Sequence, residues 1–233
     1  MKWWAIFEKG YACKNPARSV KLPKKIKNFP EVLTHEELQS IINQPDLRTK
    51  KGKRDMAMLS MTYETGVRIS ELCSLKTTSM REHMFPHKKS TRPSTVVDGK
   101  GGKSRAIPLS KKALSDLNMW LNVRPEVDNE YLFINLSTGE PMTTFGFRAL
   151  FMKYARMAGL DVDRRKISPH TFRHSFVSHL AREKWPIKHV QDLLGHSCIQ
   201  NTEIYLHLAK EDLVEAVDSL SASKTSRGPN PWG

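Results

Sequence analysis

The chain has 233 residues, enough for one large domain or two small ones, and 39% of them are apolar, so a core can form without disulfide bonds. The 38 Lys and Arg residues exceed the 24 Asp and Glu residues by 14. This charge favours a polyanionic partner such as nucleic acid, because contacts to phosphates release condensed counterions. No run of about 18 apolar residues occurs, and the first eleven residues are too short and too charged for a secretory signal. We therefore expect a cytoplasmic protein without membrane contact, and three cysteines fit a reducing compartment.

Composition divides the chain into three parts. Residues 1–30 combine a pattern typical of the end of a helix with a basic linker, in which Lys24, Lys25 and Lys27 can lie along a DNA backbone. Residues 31–220 carry the periodic apolar pattern of a main domain. Residues 221–233 are rich in Ser, Gly and Pro, and we expect them to be disordered.

The main domain begins with a capping box, in which Thr34 is the N-cap and Glu37 follows three residues later. A second helix is predicted over 53–65 and ends at Gly66, and a third begins over 69–75. Residues 95–109 read as a β-hairpin around a GKGG turn. Further helices are predicted to start at Ser110, at Thr143 or Thr144, and at Ser168–Pro169, and to cover 187–194, 199–209 and 211–220. The fold class is mostly α with a small antiparallel β-sheet or hairpin (α+β).

Two short strings place basic residues near helix ends. Arg68 follows a glycine at the junction of two helices and can face a cleft; its ordinary interpretation is an ion pair with Glu71 or Glu64. His170 and Arg173 are three residues apart and therefore share a helix face. His170 lies in the first turn, where unpaired backbone N–H groups attract anions. An ordinary surface histidine and arginine explain this pair equally well.

Two other strings carry a lysine, a histidine and a tyrosine. Lys100 lies in the glycine-rich turn, with Lys103 and Arg105 nearby, and such a turn either reaches into a DNA groove or remains a solvated basic hairpin. His196 follows a glycine that stops a helix, and the helix C-terminus stabilises a protonated imidazole. Tyr205 lies among apolar residues, and its ordinary interpretation is a core tyrosine.

Together, two arginines, two histidines, a lysine and a tyrosine without clustered acids suit phosphoryl transfer without a metal. Two guanidinium groups can grip the non-bridging oxygens of a phosphate. The histidines can donate a hydrogen bond or move a proton, and a lysine can protonate a leaving 5′ oxygen. A tyrosine phenol can attack phosphorus and form a covalent ester, which conserves the phosphodiester energy. We therefore expect neither ATP, nor a cofactor, nor a metal.

On the strings TGVRISEL, GKGGKSRAIPL, SPHTFRHSFVSHL, and LLGHS followed by IYLH, the chain resembles the tyrosine recombinase (phage integrase) family, and within it the Xer type, over about residues 31–217. The resemblance implies that Tyr205 forms a 3′-phosphotyrosyl intermediate. It implies that Arg68 and Arg173 clamp the phosphate and that Lys100 is the general acid. It further implies that His170 is a general acid/base and that His196 donates a hydrogen bond in the transition state.

Three segments depart from the family pattern. The family normally has an N-terminal helical core-binding domain, of which only residues 3–27 resemble the last helix and linker; residues 1–30 are therefore predicted to be a remnant of it. Residues 77–94 replace a short acidic turn and a strand, either as a DNA-contacting loop or as a disordered insertion. Within them His83 and His87, even with Cys73, are too poor a set for a metal site. Residues 211–220 either dock on a neighbouring subunit or fold back on their own.

The leading prediction is a site-specific DNA recombinase or integrase of a phage or mobile element, or a chromosome-dimer resolvase. The resemblance implies double-stranded DNA as partner and a homotetramer on paired sites, with a monomer possible when free. One alternative is a DNA relaxer like a type IB topoisomerase, and another is a catalytically silent, truncated recombinase that only binds DNA. A helix-turn-helix regulator over 171–195 is less favoured. Residues expected to contact DNA are Lys24, Lys25, Lys27, Lys103 and Arg105.

Overall fold

The computed structural model describes residues 31–78, 94–98, 104–183 and 185–194. These ranges contain seven helices and two strands: α1 (His35–Ile42), α2 (Lys50–Thr65), α3 (Ile69–Cys73), β1 (Ser94–Asp98), β2 (Ser104–Pro108), α4 (Lys111–Leu121), α5 (Thr144–Met157), α6 (Pro169–Arg182) and α7 (Ile187–Leu194). The prediction of a mostly helical domain with a small antiparallel sheet is confirmed. The helices predicted over 199–209 and 211–220 lie outside the described residues.

The sheet consists of β1 and β2, which pair antiparallel with Ser94 opposite Pro108 and Asp98 opposite Ser104. The predicted hairpin over 95–109 is therefore confirmed at its two strands, while the turn between them lies outside the described residues. Two isolated bridges join Lys76 to Tyr131 and Ile134 to Pro141. These bridges could not be predicted from the sequence, because a single residue pair leaves no alternating pattern along the chain.

Each of the first two helices begins directly after a threonine whose side chain caps its first turn. The Thr34 hydroxyl accepts the Glu37 N–H at 3.2 Å, and the Glu37 carboxylate accepts the Thr34 N–H at 2.9 Å, so the predicted capping box is confirmed. The predicted start of α2 at residue 53 is wrong, because the Thr49 hydroxyl accepts the Gly52 N–H at 2.9 Å and starts the helix at Lys50.

The starts of the later helices agree more closely with the positions predicted from the sequence. The Ser110 hydroxyl caps α4, and of the two threonines proposed for α5 it is Thr143 that accepts the Gly146 N–H, at 3.0 Å. Ser168 precedes α6, with proline as its first residue. The third helix, which was predicted to begin over 69–75, begins at Ile69 and ends at Cys73, and the N–H of its C-cap Ser74 donates to the Ser70 carbonyl at 3.1 Å.

The core lies around α2, which packs against α1, α4 and α6. Phe172 of α6 is fully buried and meets Phe151 of α5 edge-on, with ring centroids 4.9 Å apart. Trp120 of α4 is also fully buried, and its indole N–H donates to the Leu132 carbonyl at 3.0 Å. Burying one such aromatic side chain stabilises the fold by about 1.5–3 kcal/mol. Phe172 thereby fixes the helix on which His170 and Arg173 stand.

A buried polar network crosses the core beside these aromatic rings. The Arg54 guanidinium binds the Asp55 carboxylate at 2.6 Å and donates to the Ile134 carbonyl at 2.9 Å. The Tyr154 hydroxyl donates to the same carboxylate at 3.0 Å. Burial, followed by the Asp55 charge, raises the pKa of this phenol. The network ties α2 to α5 and to the segment that precedes α5.

The chain enters the described domain beside α6. The Leu33 N–H donates to the Ser175 hydroxyl at 2.9 Å, and the Arg165 guanidinium binds the carboxylates of Glu31 and Glu37. These contacts fix residue 31 against the segment that leads into α6. In the described ranges, no helix combines the length and the apolar character that crossing a membrane requires.

Candidate active site

The site is built on the junction between α2 and α3. Gly66 ends α2 in the left-handed conformation, with φ of 62°, and its N–H donates to the Thr62 carbonyl at 3.1 Å. Arg68 is the N-cap of α3, and its backbone N–H donates to the Glu71 carboxylate at 2.9 Å. The Arg68 side chain is 37% exposed. The junction therefore presents this guanidinium at the surface.

Glu71 holds two arginines. Its Oε1 accepts Arg68 Nη1 at 2.8 Å and Arg105 Nη1 at 2.9 Å, and its Oε2 accepts Arg105 Nη2 at 2.8 Å. Burial of this side chain, which is 5% exposed, would raise the pKa of the carboxyl, but hydrogen bonds from Arg105 and Arg68 outweigh burial and lower the pKa to about 2. Glu71 is therefore an anion between two cations at neutral pH.

Arg173 connects α6 to this junction. The side chain is 8% exposed and donates from Nη1 to the Gly66 carbonyl and from Nη2 to the Leu194 carbonyl at 2.9 Å. Leu194 is the last residue of α7, where backbone carbonyls have no partner within the helix. Arg173 of α6 thus binds the backbone of Gly66, two residues before Arg68, and the last residue of α7.

His170 lies at the second position of α6 and is exposed, three residues before Arg173. The helix starts firmly, because the Ser168 N–H donates to the Thr171 hydroxyl at 3.0 Å. One turn later, burial and then the neighbouring His170 and Arg173 lower the pKa of His174. The first turn of α6 therefore offers an accessible imidazole at the positive end of a helix, where an anion is stabilised.

Of the predicted site residues, Arg68, Arg105, His170 and Arg173 lie in the described ranges. The structure brings the three arginines to the Gly66 junction, two of them through Glu71, and places His170 on the same helix as Arg173. Lys100, His196 and Tyr205, together with the expected DNA contacts Lys24, Lys25, Lys27 and Lys103, lie outside the described residues.

Sequence reasoning missed Glu71 as the centre of this arrangement. It named Glu71 only as the ordinary ion-pair partner of Arg68, and that ion pair is present. The spacing of three residues from an N-cap is typical of a capping box and was the available signal. Nothing local connects Glu71 to Arg105, which lies 34 residues away.

A groove of about 450 Å³ lies next to these elements, between α6, α7 and the end of β2. Its walls are mainly apolar, and Trp185 at its edge is 53% exposed. The residues that line the groove include Phe176, Leu180, Trp185, Val190 and Leu193.

Cys73, the last residue of α3, is buried, and burial raises the pKa of its thiol to about 12. In the parts of the chain that the structure describes, no group of three or more His, Cys, Asp or Glu residues could hold a metal ion. His83 and His87 lie outside those parts.

Comparison with known sequences identifies the family of this chain. Residues 31–212 match the phage integrase family. The tyrosine recombinase XerD of Listeria monocytogenes is 33% identical over 211 residues, which cover 88% of this chain and 67% of that relative. The tyrosine recombinase XerC of Bacillus subtilis is 34% identical over 206 residues, which cover 85% of this chain and 64% of that relative.

Solved structures of recombinases have a fold similar to that of this chain. XerA recombinase superposes with a TM-score of 0.65 at 25% identity, covering 90% of this chain and 68% of that one. XerH site-specific recombinase, bound to its palindromic difH substrate in a post-cleavage complex, superposes with a TM-score of 0.68 at 28% identity, covering 82% of this chain and 53% of that one. The order of the motifs, the extent of the match and the fold agree: the chain belongs to the phage integrase family of tyrosine recombinases.

Proposed function

We propose that this tyrosine-type site-specific DNA recombinase cleaves and rejoins double-stranded DNA through a 3′-phosphotyrosyl intermediate at Tyr205. The observation that carries the proposal is the convergence of Arg68 and Arg173 on the Gly66 junction, beside the N-terminal end of α6. Cations and a helix N-terminus that are fixed in advance stabilise the extra charge that develops on phosphorus during displacement.

In the proposed step, the Tyr205 oxygen attacks phosphorus and the bond from phosphorus to the 5′ oxygen breaks. The leaving 5′ oxygen takes a proton from Lys100, while His170 accepts the phenolic proton or returns it during religation. Arg68 and Arg173 bind the non-bridging oxygens, and His196 donates a hydrogen bond to one of them. Religation is the reverse displacement by a 5′ hydroxyl, so the step consumes neither ATP nor a cofactor.

DNA binding rests on basic residues around this centre. We assign residues 1–30 to the last helix of a core-binding domain with its linker, 31–220 to the catalytic domain, and 221–233 to a disordered tail. The contacts of Leu33 and Arg165 support this division, because they fix the start of the catalytic domain beside the helix that carries Arg173. The phosphates of DNA would then be contacted by Lys24, Lys25, Lys27 and Lys103. The reaction would take place in the cytoplasm.

We also assign a tetramer on paired DNA sites, with a monomer when free. The apolar groove beside α7 supports it, since residues 211–220 of a neighbouring protomer can fill a groove of this character. That segment repeats apolar residues at helical spacing, namely Leu213, Val214, Val217 and Leu220. Deleting residues 211–220 should preserve DNA binding by single protomers and abolish the tetrameric complex in sedimentation.

The test is a nicked suicide duplex carrying the element's attachment site, or a pool of candidate sites, without divalent metal. The full chain should give a denaturation-resistant DNA adduct that maps to Tyr205. Tyr205→Phe should lose the adduct and keep DNA binding, and normal cleavage by this variant would overturn the assignment.

The same preparation separates the alternatives. Relaxation of supercoiled DNA that lacks paired sites, without strand exchange, would indicate a topoisomerase-like relaxer. Sequence-specific binding without any adduct would indicate a catalytically silent DNA-binding module. Recombination between two paired sites is the outcome that the proposal requires.

A further inference from the structure

We propose that Arg105 is a positioning residue of the recombination reaction, which holds Glu71 and the end of α7 and so keeps Arg68 available to the phosphate. The inference rests on the proposed function. It gives Arg105 a part in the chemistry without direct contact to DNA.

Arg105 stands on β2, and its side chain points into the site with 14% of its surface exposed. Its guanidinium makes three hydrogen bonds. Nη1 and Nη2 donate to the two oxygens of Glu71 at 2.9 and 2.8 Å, and Nε donates to the Leu193 carbonyl at 3.1 Å. A planar fork can satisfy all three acceptors at once, whereas a lysine ammonium carries the same charge without this geometry.

The charge balance at Glu71 gives this contact a consequence for Arg68. One carboxylate lies between two guanidinium groups, so the three side chains together carry one net positive charge. If Arg105 were absent, Glu71 would neutralise Arg68 alone, and the remaining pair would offer a phosphate no net charge. A DNA phosphate would then compete with a buried carboxylate for Arg68. By sharing Glu71, Arg105 leaves part of the Arg68 charge to the substrate.

The third hydrogen bond acts on α7. Arg105 binds the Leu193 carbonyl and Arg173 binds the Leu194 carbonyl, so two arginines satisfy two consecutive carbonyls at the end of one helix. Such carbonyls have no partner within the helix. Arg105 therefore links three elements of the site, namely β2, the start of α3 and the end of α7.

A direct phosphate contact by Arg105 fits this geometry poorly. Turning the side chain toward DNA would break all three hydrogen bonds and leave the Leu193 carbonyl and half of the Glu71 ion pairing unsatisfied. Removing one partner of a buried ion pair is strongly destabilising. The exposed residues of this strand are Ser104, Ala106 and Pro108.

The experiment compares Arg105→Lys and Arg105→Gln with the wild-type chain, using single-turnover cleavage of the suicide duplex at saturating protein. A displaced catalytic group costs about 100-fold in rate, so both variants should cleave about 100-fold more slowly. Arg105→Lys should keep the affinity for DNA and its dependence on salt. Arg48→Lys and Arg48→Gln are the matched controls, because the Arg48 side chain is exposed, binds Asp46 and precedes the start of α2, the end opposite Gly66, and they should cleave like the wild type.

A double variant separates positioning from general destabilisation. Gln is accepted at the third position of a capping box, so Glu71→Gln keeps the start of α3 and removes the charge that competes for Arg68. Glu71→Gln/Arg105→Gln should therefore cleave faster than Arg105→Gln alone, whereas a merely structural loss would not be recovered.

Two results would overturn the inference. One is wild-type cleavage by Arg105→Lys together with a salt slope reduced by about 1 in Arg105→Gln, which would show a direct phosphate contact. The other is a double variant no faster than Arg105→Gln. Failure of the proposed function is distinct from both, because the wild-type chain itself would then form no adduct at Tyr205.

Discussion

Replacing Gly66 with alanine tests how tightly the site junction is built. Gly66 has a φ of 62°, and a Cβ placed there would lie 2.4 Å and 2.7 Å from two ring carbons of Phe176 and 3.3 Å from a methyl carbon of Leu194. Gly66→Ala therefore combines two penalties. A left-handed backbone costs an ordinary L-residue about 1–2 kcal/mol. Forcing extra volume into packed side chains costs about 1–3 kcal/mol.

Gly159→Ala is the matched control for the backbone term. Gly159 has a φ of 81°, and a Cβ there would meet nothing within 4 Å. Both substitutions share the strain of the left-handed conformation, and both reduce the entropy of the unfolded chain. The two effects cancel in the comparison. Gly66→Ala should therefore lower the free energy of unfolding by about 1–3 kcal/mol more than Gly159→Ala, and this difference measures the contact with Phe176 and Leu194.

Urea denaturation followed by circular dichroism measures both free energies of unfolding. Phe176→Ala in the Gly66→Ala background should remove most of the difference, because the ring carbons that meet the new Cβ are gone. Equal destabilisation by Gly66→Ala and Gly159→Ala would refute the packing argument. It would show that the Phe176 ring moves aside without cost.

Two further predictions concern polar groups in the fold. Tyr154→Phe removes the phenolic hydrogen bond to the buried Asp55 carboxylate and should lower the free energy of unfolding by about 1.5–3 kcal/mol in urea denaturation, whereas an unchanged midpoint would contradict the network. Burial is the main cause that lowers the pKa of His174 and of His179 below 6.5, so the unfolded chain binds more protons near that pH. The stability they contribute is present above pH 6.5 and is lost as pH falls from there through their folded pKa values. His179→Gln should flatten that fall below about pH 6.5, and an unaltered pH profile would argue against it.

The sequence predicted those parts of the fold that local chemistry determines. Thr34 and Ser110 start helices because a hydroxyl accepts an N–H three residues later, and Gly66 ends one because it adopts a positive φ. The start of α2 was predicted three residues late, since its first turn is polar and has no apolar periodicity. The Thr49 cap was the signal that would have placed it correctly.

The candidate site was predicted only in part, for a related reason. The family resemblance identified Arg68 and Arg173 as phosphate clamps, and the structure places Arg173 against the Gly66 carbonyl, two residues before Arg68. The partners that hold these cations come from distant parts of the chain: Arg105 is 34 residues from Glu71 and 88 residues from Leu193. Contacts at such separations depend on how the helices pack, and no periodic pattern in the sequence encodes them.

The ion pairing around Glu71 also bears on how the site is prepared for DNA. Its pKa of about 2 keeps the carboxylate ionised at neutral pH, so Arg68 and Arg105 are oriented before any phosphate arrives. Arg173 is held in the same way by two backbone carbonyls, which align its guanidinium without cancelling its charge. Groups that are fixed beforehand need no reorganisation when negative charge develops on phosphorus, and this makes them effective in catalysis. The acid that sequence reasoning treated as the ordinary partner of Arg68 is thus the group that fixes both cations in place.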